Sequence, residues 1–140
     1  LKLHIVARGR IGRGPEADLV ARYQKRIAWP LTITELPETG GRVADPLAPM
    51  KIIAFDESGE ALTSVAFAKL LERWRDGGVR EARFLIGAAD GLSQAERASA
   101  DRLLSFGTAT WPHLMVRAML AEQLYRSTTI IAGHPYHREG

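Results

Sequence analysis

KIIAFDESGEALTSVAFAKLLERWRDGGVREARFLIG, running from Lys51 to Gly87, decides the fold. It opens on a continuous apolar run within Lys51–Asp56 and closes on another within Ala82–Gly87. Short apolar runs without polar alternation belong to strands covered on both faces, the habit of parallel sheets. Between them Phe67, Leu70, Leu71 and Trp74 recur at helical spacing. Thr63 or Ser64 offers that helix a cap, and Gly77-Gly78 ends it. Glu57-Ser58-Gly59 reads as the turn after the first strand. A strand, a helix and a strand in this order make parallel neighbours joined by a crossover.

Toward the N-terminus, Leu1–Ala7 reads as a strand with Leu3, Ile5 and Ala7 on one face and Val6 on the other. A Gly-rich loop, ARGRIGRG, follows. Pro15 suits the first turn of a helix that carries Leu19, Val20, Tyr23 and Ile27 on one stripe and stops at Pro30. Leu31–Leu36 alternates and is β-branched, a second strand. Pro37–Met50, with its prolines and glycines, reads as a loop or crossover.

Toward the C-terminus, Ser93-Gln94-Ala95-Glu96 is a capping box that opens a helix to about Leu104. Ser105–Trp111 is expected as a last strand, Pro112–Arg126 as a long helix, and TTIIAGHPYHREG as a strand-like run and a tail. Alternation of this kind gives an α/β fold with a mostly parallel sheet and helices on both faces. At 140 residues the chain is expected to be one domain, 1–140.

Composition narrows the chemistry. With 19 basic and 16 acidic residues the formal charge is +3, and the sequence pI is about 9.6, compatible with a nucleic-acid partner without requiring one. There are no cysteines, which excludes disulfides, thiolate catalysis and thiolate metal sites. No stretch approaches the roughly 20 apolar residues that span a bilayer. The first residues, LKLHIVARG, lack a signal-peptide core, so no membrane role and a cytoplasmic location are expected.

Ligands of open parallel sheets lie beyond the carboxyl ends of the strands. That rule marks Arg8-Gly9, Asp56-Glu57, Gly87 and Trp111-Pro112. LIGAADGLS (Leu85–Ser93) is a candidate nucleotide cradle as well as a plain β-to-α turn; it is not a P-loop, because no GKS or GKT occurs. The helix Pro112–Arg126 is apolar on most of its circumference yet carries Arg117, Glu122, Gln123 and Arg126. That mixture fits a helix at a subunit interface bordering a site, although Glu122 and Arg126 at i, i+4 also read as an ordinary ion pair. The terminal GHPYHRE places residue types that bind phosphate (Arg138), stack a base (Tyr136) and move a proton (His137) within a few positions. Its H-x-x-H lacks the further ligands a metal needs.

Together, LIG-x-x-DGLS, a T-x-P-H helix start, R-x-x-L-x-E-Q-L-Y-R and a terminal HPYHRE resemble the bacterial RlmH family of the SPOUT class, along the whole chain and most sharply over Phe84–Glu139. KLHIVARG and KIIAFDESG also fit. The resemblance implies a C-terminal trefoil knot, a homodimer, S-adenosyl-L-methionine as cofactor, and methylation of N3 of a pseudouridine in 23S ribosomal RNA within the large subunit or whole ribosome. By the family's pattern, cofactor contacts fall on Phe55, Gly87, Phe106, Gly107, Thr108, Ala109, Thr110 and Trp111. Catalytic roles fall on Glu122, Arg126, Tyr136 and His137, with His137 the first candidate for proton acceptor and Glu122 the second. Arg8, Arg117 and Arg138 are expected to bind RNA, and no metal is expected.

Two features depart from the family's pattern. Ala88 stands where a second glycine is common. Pro37–Met50 is about one helix short, so either a surface helix is missing from this member or a segment is missing from the sequence. Other readings stay open: a SPOUT enzyme for a different RNA, a relative that binds without catalysis, and a flavodoxin-like nucleotide module.

Overall fold

A computed structural model describes residues 1–138. Glu139, part of the terminal motif, lies outside the described residues. Five strands, β1 (Lys2–Arg8), β2 (Leu31–Leu36), β3 (Met50–Ala61), β4 (Glu81–Ile86) and β5 (Arg102–Ser105), form one sheet in the order β2-β1-β4-β3-β5. All four pairings are parallel, as the apolar runs require. The register aligns Ile5, Phe84 and Ile53 across the centre, so their side chains leave the sheet on one face. With Leu3, Ala7 and Ile86 they form the floor of the main core, all nearly without solvent contact.

Three helices lie on that floor: α1 (Pro15–Arg26), α2 (Ser64–Asp76) and α4 (His113–Ala132). α4 packs against both α1 and α2 and buries Leu120 and Leu124, which explains why its circumference is apolar. The other face carries only the short α3 (Gln94–Ser99), anchored through Glu96 to Arg8 and through Arg97 to Asp56. Beside α3, the segment 37–49 covers the face without helix or strand. It is held by a buried polar cluster. His4 Nδ1 lies 3.1 Å from Glu81, its Nε2 lies 2.7 Å from Thr34 Oγ1, and the Leu47 amide donates to Glu81 over 3.1 Å. Arg83 donates to Glu81 and to the Ala44 carbonyl. Burial raises the Glu81 carboxyl, but Arg83, the Leu47 amide and His4 outweigh it and hold the pKa down to about 2.

Four boundaries differ from the sequence expectation. β3 continues through Glu57-Ser58-Gly59, with a register shift against β5 between Phe55 and Glu60. Gly59 permits this, since a Cβ there would fall 2.4 Å from the Leu104 carbonyl carbon. α3 ends at Ser99 because Ala100 turns extended, and Arg102–Ser105 becomes the strand in place of Ser105–Trp111. α4 runs on to Ala132, through the β-branched run that reads as a strand. Thr128 and Thr129 satisfy their hydroxyls on the carbonyls of Tyr125 and Arg126, and their burial overrides local propensity. Gly133, with φ 74°, closes the helix in the left-handed conformation.

Candidate active site

At the carboxyl ends of β3 and β4, three loops enclose a cavity of about 1060 Å³. Its walls are the β3 extension from Phe55, the turn Gly87–Gly91 after β4, and the segment from Ser105 to His113. Each wall follows from local chemistry. The Phe55 and Phe106 rings stack at 5.0 Å and 14° and lock β3 to the segment after β5. The Trp111 indole NH donates to the Phe106 carbonyl over 3.1 Å, closing the 106–111 loop on itself. Gly87 lies so close to the next turn that a Cβ would sit 2.4 Å from the Gly91 carbonyl carbon.

Seven of the eight positions expected to hold the cofactor line this cavity: Phe55, Gly87, Phe106, Gly107, Ala109, Thr110 and Trp111. Thr108 is exposed and stands apart from the lining. Ala88 joins the wall without backbone strain, because among the described residues no non-glycine residue takes a positive φ. A smaller cavity of about 260 Å³ shares Phe55, Phe106 and Gly107 and continues toward Ser64 and Gln123, which are hydrogen-bonded to each other at 2.7 Å.

Asp56, Glu57, Asp90, Arg97 and His113 also line the main cavity and were absent from the expected set, although the strand-end rule marks Asp56-Glu57. Asp56 is occupied by the Ser58 hydroxyl and by Arg97. The Ser58 hydroxyl, followed by the Ser58 amide and Arg97, outweighs burial and holds the Asp56 carboxyl below its ordinary range.

The expected catalytic residues gather elsewhere, around the C-terminal half of α4 and a 3-10 turn, Pro135–Arg138. Glu122 accepts from Arg126 at 2.7 Å, from the Tyr136 hydroxyl at 2.9 Å and from Gln123 at 2.9 Å. The Arg126 guanidinium also lies 5.1 Å from the Tyr136 ring centre, and Tyr125 packs edge-on against that ring. Burial, then the neighbouring Tyr23 and Glu122 side chains, push the Tyr136 phenol above its ordinary value. Glu122 raises Arg126 against the opposing effect of burial. His137 Nδ1 lies 2.7 Å from the His134 carbonyl. A carbonyl only accepts, so Nδ1 is the donor in this contact, which leaves Nε2 outside it. Arg138 is exposed. None of Glu122, Arg126, Tyr136, His137 or Arg138 lines the cavity in the same chain. Along α4 the nine residues from His113 to Glu122 span about 13 Å.

One expected RNA contact, Arg117, is corrected. Arg117 is 1% exposed and spends its guanidinium on Glu35 and on the carbonyls of Arg8 and Gly9. Arg8 is held by Glu96 and by the carbonyls of Pro37 and Gly40. Arg117 is thereby enclosed in the interior, whereas Arg8 remains partly exposed, with its bonds to Pro37 and Gly40 at the surface.

The family model described as "Predicted SPOUT methyltransferase" matches residues 1–137. The chain is 67% identical over 138 residues to the Ribosomal RNA large subunit methyltransferase H of Sphingopyxis alaskensis, covering 99% of this chain and 97% of that one. It is likewise 67% identical over 138 residues to the protein of the same name from Rhizorhabdus wittichii, covering 99% of each. Among solved structures, it resembles the SpoU methyltransferase AviRb from Streptomyces viridochromogenes in complex with the cofactor AdoMet, with a TM-score of 0.53 and 13% identity. That match covers 91% of this chain and 60% of AviRb, and at such identity it speaks for the fold alone.

Proposed function

The chain belongs to the SPOUT methyltransferase family, and we propose that it transfers a methyl group from S-adenosyl-L-methionine to large-subunit ribosomal RNA. The observation that carries this reading is the cavity of about 1060 Å³ at the strand ends, lined by seven of the eight positions the resemblance assigns to the cofactor. Its size suits a nucleoside-sized ligand. The residues fit the group in kind. The Phe55–Phe106 pair offers an apolar wall for a base, and Gly87 keeps backbone at close approach. Glu57 and Asp90 complement a cationic donor, while Asp56 is paired with Arg97. Bound there, the cofactor supplies an electrophilic methyl carbon on a sulfonium.

The chain's own residues must bring the nucleobase into line and remove its ring proton. The acceptor is N3 of a pseudouridine in 23S ribosomal RNA, whose neutral imide is a poor nucleophile. His137 takes the imide proton at Nε2, the nitrogen its bond to the His134 carbonyl leaves free. Glu122 is the weaker candidate, because Arg126, Tyr136 and Gln123 already occupy its oxygens. Arg126 and Glu122 instead fix the Tyr136 ring for stacking, and Arg138 meets a phosphate.

The separation of this cluster from the cavity supports a homodimer in which the tail of one chain completes the cavity of the other. The half-exposed Trp111 and Met115 at the start of α4 give such an interface apolar surface. The extension of β3 past its register shift, with Gly59 lying against the Leu104 backbone of β5, fits the threaded C-terminal third that the resemblance implies.

The test is incorporation of labelled methyl from S-adenosylmethionine into intact large subunits, whole ribosomes, free 23S RNA and transfer RNA. Mass spectrometry of the product then locates the methyl group. Absence of incorporation into any ribosomal substrate overturns the reading. Mixing a cofactor-cavity variant with a His137→Ala variant, each inactive alone, should restore about a quarter of the activity through mixed dimers; no restoration overturns the shared site.

A further inference from the structure

The loop between β1 and α1, Gly9 to Gly14, borders the cavity and is built for a task that the cavity itself does not explain. It is pinned on one side only. Arg117 donates to the Gly9 carbonyl over 3.0 Å from the interior of α4. The Ile11 amide donates to Glu35 over 2.8 Å, and Glu35 in turn pairs with Arg117. The Ile11 side chain packs against Val20, Ala118 and Ala121. Burial raises the Glu35 carboxyl, but the Ile11 amide and Arg117 outweigh it, so it stays charged and keeps both bonds.

The arginines of the loop lie at the surface, with Arg10 near enough to Glu35 to help hold its carboxyl down. Arg10 and Arg13 are exposed, and among the described residues neither has a carboxylate within ion-pair distance. Gly12 has φ 64°, and a Cβ there would meet nothing within 4 Å, so the tip stands clear of the protein. The base of the loop touches the cavity wall, because a Cβ on Gly9 would lie 3.8 Å from His113 Nε2, and His113 lines the cavity. The start of α1 is not the binding feature, since Glu16 and Asp18 already sit in its first turn.

We propose that this loop grips the RNA backbone beside the reacting base, with Arg10 and Arg13 contacting phosphates and the Arg117–Glu35 pair acting as positioning residues that hold the loop against the cavity wall. The inference rests on the reading of the chain as a ribosomal RNA methyltransferase and goes beyond it by assigning the gripping surface. A buried arginine that holds backbone carbonyls sets a loop's height, while exposed unpaired arginines bind phosphate with an energy that salt screens.

The experiment compares wild type, Arg10→Ala/Arg13→Ala, Glu35→Gln and, as a control of equal charge, Lys69→Ala/Arg73→Ala on the exposed side of α2. Kinetics are measured with large ribosomal subunits across a salt series, and S-adenosylmethionine affinity by calorimetry. Each lost phosphate contact lowers the salt slope by about 0.7 on single strands. The loop variant should therefore lose about 1.4 from the slope and raise KM for the subunit about tenfold, with kcat at saturation and cofactor affinity within twofold. Glu35→Gln should raise KM several-fold while leaving kcat and cofactor affinity in place, a split that general destabilisation does not produce. The control should change neither. Unchanged KM and slope in the loop variant, or an equal loss in the control, overturns the proposal while the methyltransferase reading stands. A wild-type protein that methylates no ribosomal substrate overturns both.

Discussion

Replacing Gly87 with alanine tests the cavity at its tightest point. A Cβ there would lie 2.4 Å from the Gly91 carbonyl carbon, 2.5 Å from its oxygen and 2.7 Å from the Leu92 nitrogen. Ordinary contact begins near 3.4 Å, so one side must yield by about 1 Å. β4 cannot yield, since Leu85 and Ile86 are fixed in register with β1 and β3 on either side. The turn after it must move instead, and Ala88, Ala89, Asp90 and Gly91 all line the cavity. Overpacking of this size costs about 1–3 kcal/mol when the structure absorbs it. If the cost falls on the bound state, S-adenosylmethionine affinity drops about tenfold to a hundredfold. Calorimetric titration reads this directly, with circular dichroism confirming the fold. Gly78→Ala is the control for general backbone strain, because Gly78 has a positive φ that alanine strains, yet a Cβ there meets nothing within 4 Å and it lies outside the cavity. Cofactor affinity in Gly87→Ala within twofold of wild type would refute the placement of the cofactor against this turn.

Further outcomes follow from the other buried contacts. A fall of the Glu81 carboxyl from 4.5 to about 2, at about 1.4 kcal/mol per pH unit, stabilises the fold by about 3 kcal/mol. A depressed carboxyl acts fully above 4.5 and is lost as pH falls toward 2; burial depresses His4 as well, so stability already declines below pH 6.5. In urea titrations at fixed protein concentration, Glu81→Gln should cost about 3 kcal/mol at pH 7, with the gap to wild type closing as pH drops below 4.5. A constant gap down to pH 3 contradicts the assignment. Tyr136→Phe removes the hydroxyl bonded to Glu122, so kcat should fall about tenfold in single-turnover methylation; an unchanged kcat would remove Tyr136 from the reacting cluster. Gly59→Ala places a methyl against the Leu104 backbone, and urea unfolding should show a loss of about 2–4 kcal/mol; wild-type stability would show that the approach of β3 to β5 is looser than described.

Legibility in the sequence tracked how local the deciding interaction is. α1, α2 and β2 were readable because proline, caps and alternation sit within their own boundaries. The run Thr128–Ile131 was misread because its helical state depends on burial against the sheet and on hydroxyl bonds to preceding carbonyls. The strand at Arg102–Ser105 was hidden inside a helical pattern; only pairing with β3 pulls it extended. In the site, strand-end topology marked Asp56-Glu57 and Gly87 by geometry alone, while Phe106–Trp111 came from family likeness, since small residues whose backbone does the work leave little signal. Arg117 was misassigned for a physical reason. A charge on an apolar helix reads as functional, but its partner Glu35 lies 82 positions away and no local pattern joins them.

The short segment 37–49 is the main departure from the expected pattern, and the fold shows how the sheet accommodates it. The relative from Sphingopyxis alaskensis aligns over 138 residues covering 97% of its length, so it has no room for a further helix there. A sheet face that loses helical cover would expose apolar side chains, yet here its uncovered half carries His4, Glu81 and Arg83. Those groups are costly to bury alone, and they are stabilised because the segment supplies the Ala44 carbonyl and the Leu47 amide to complete them. The cluster lies at the start of β4, whereas the cavity lies at its end. Six residues of strand, about 20 Å, separate Glu81 from Gly87. The start of the sheet is thus sealed by polar side chains, while at the carboxyl end of β1 the same segment is tied to Arg8 through the Pro37 and Gly40 carbonyls.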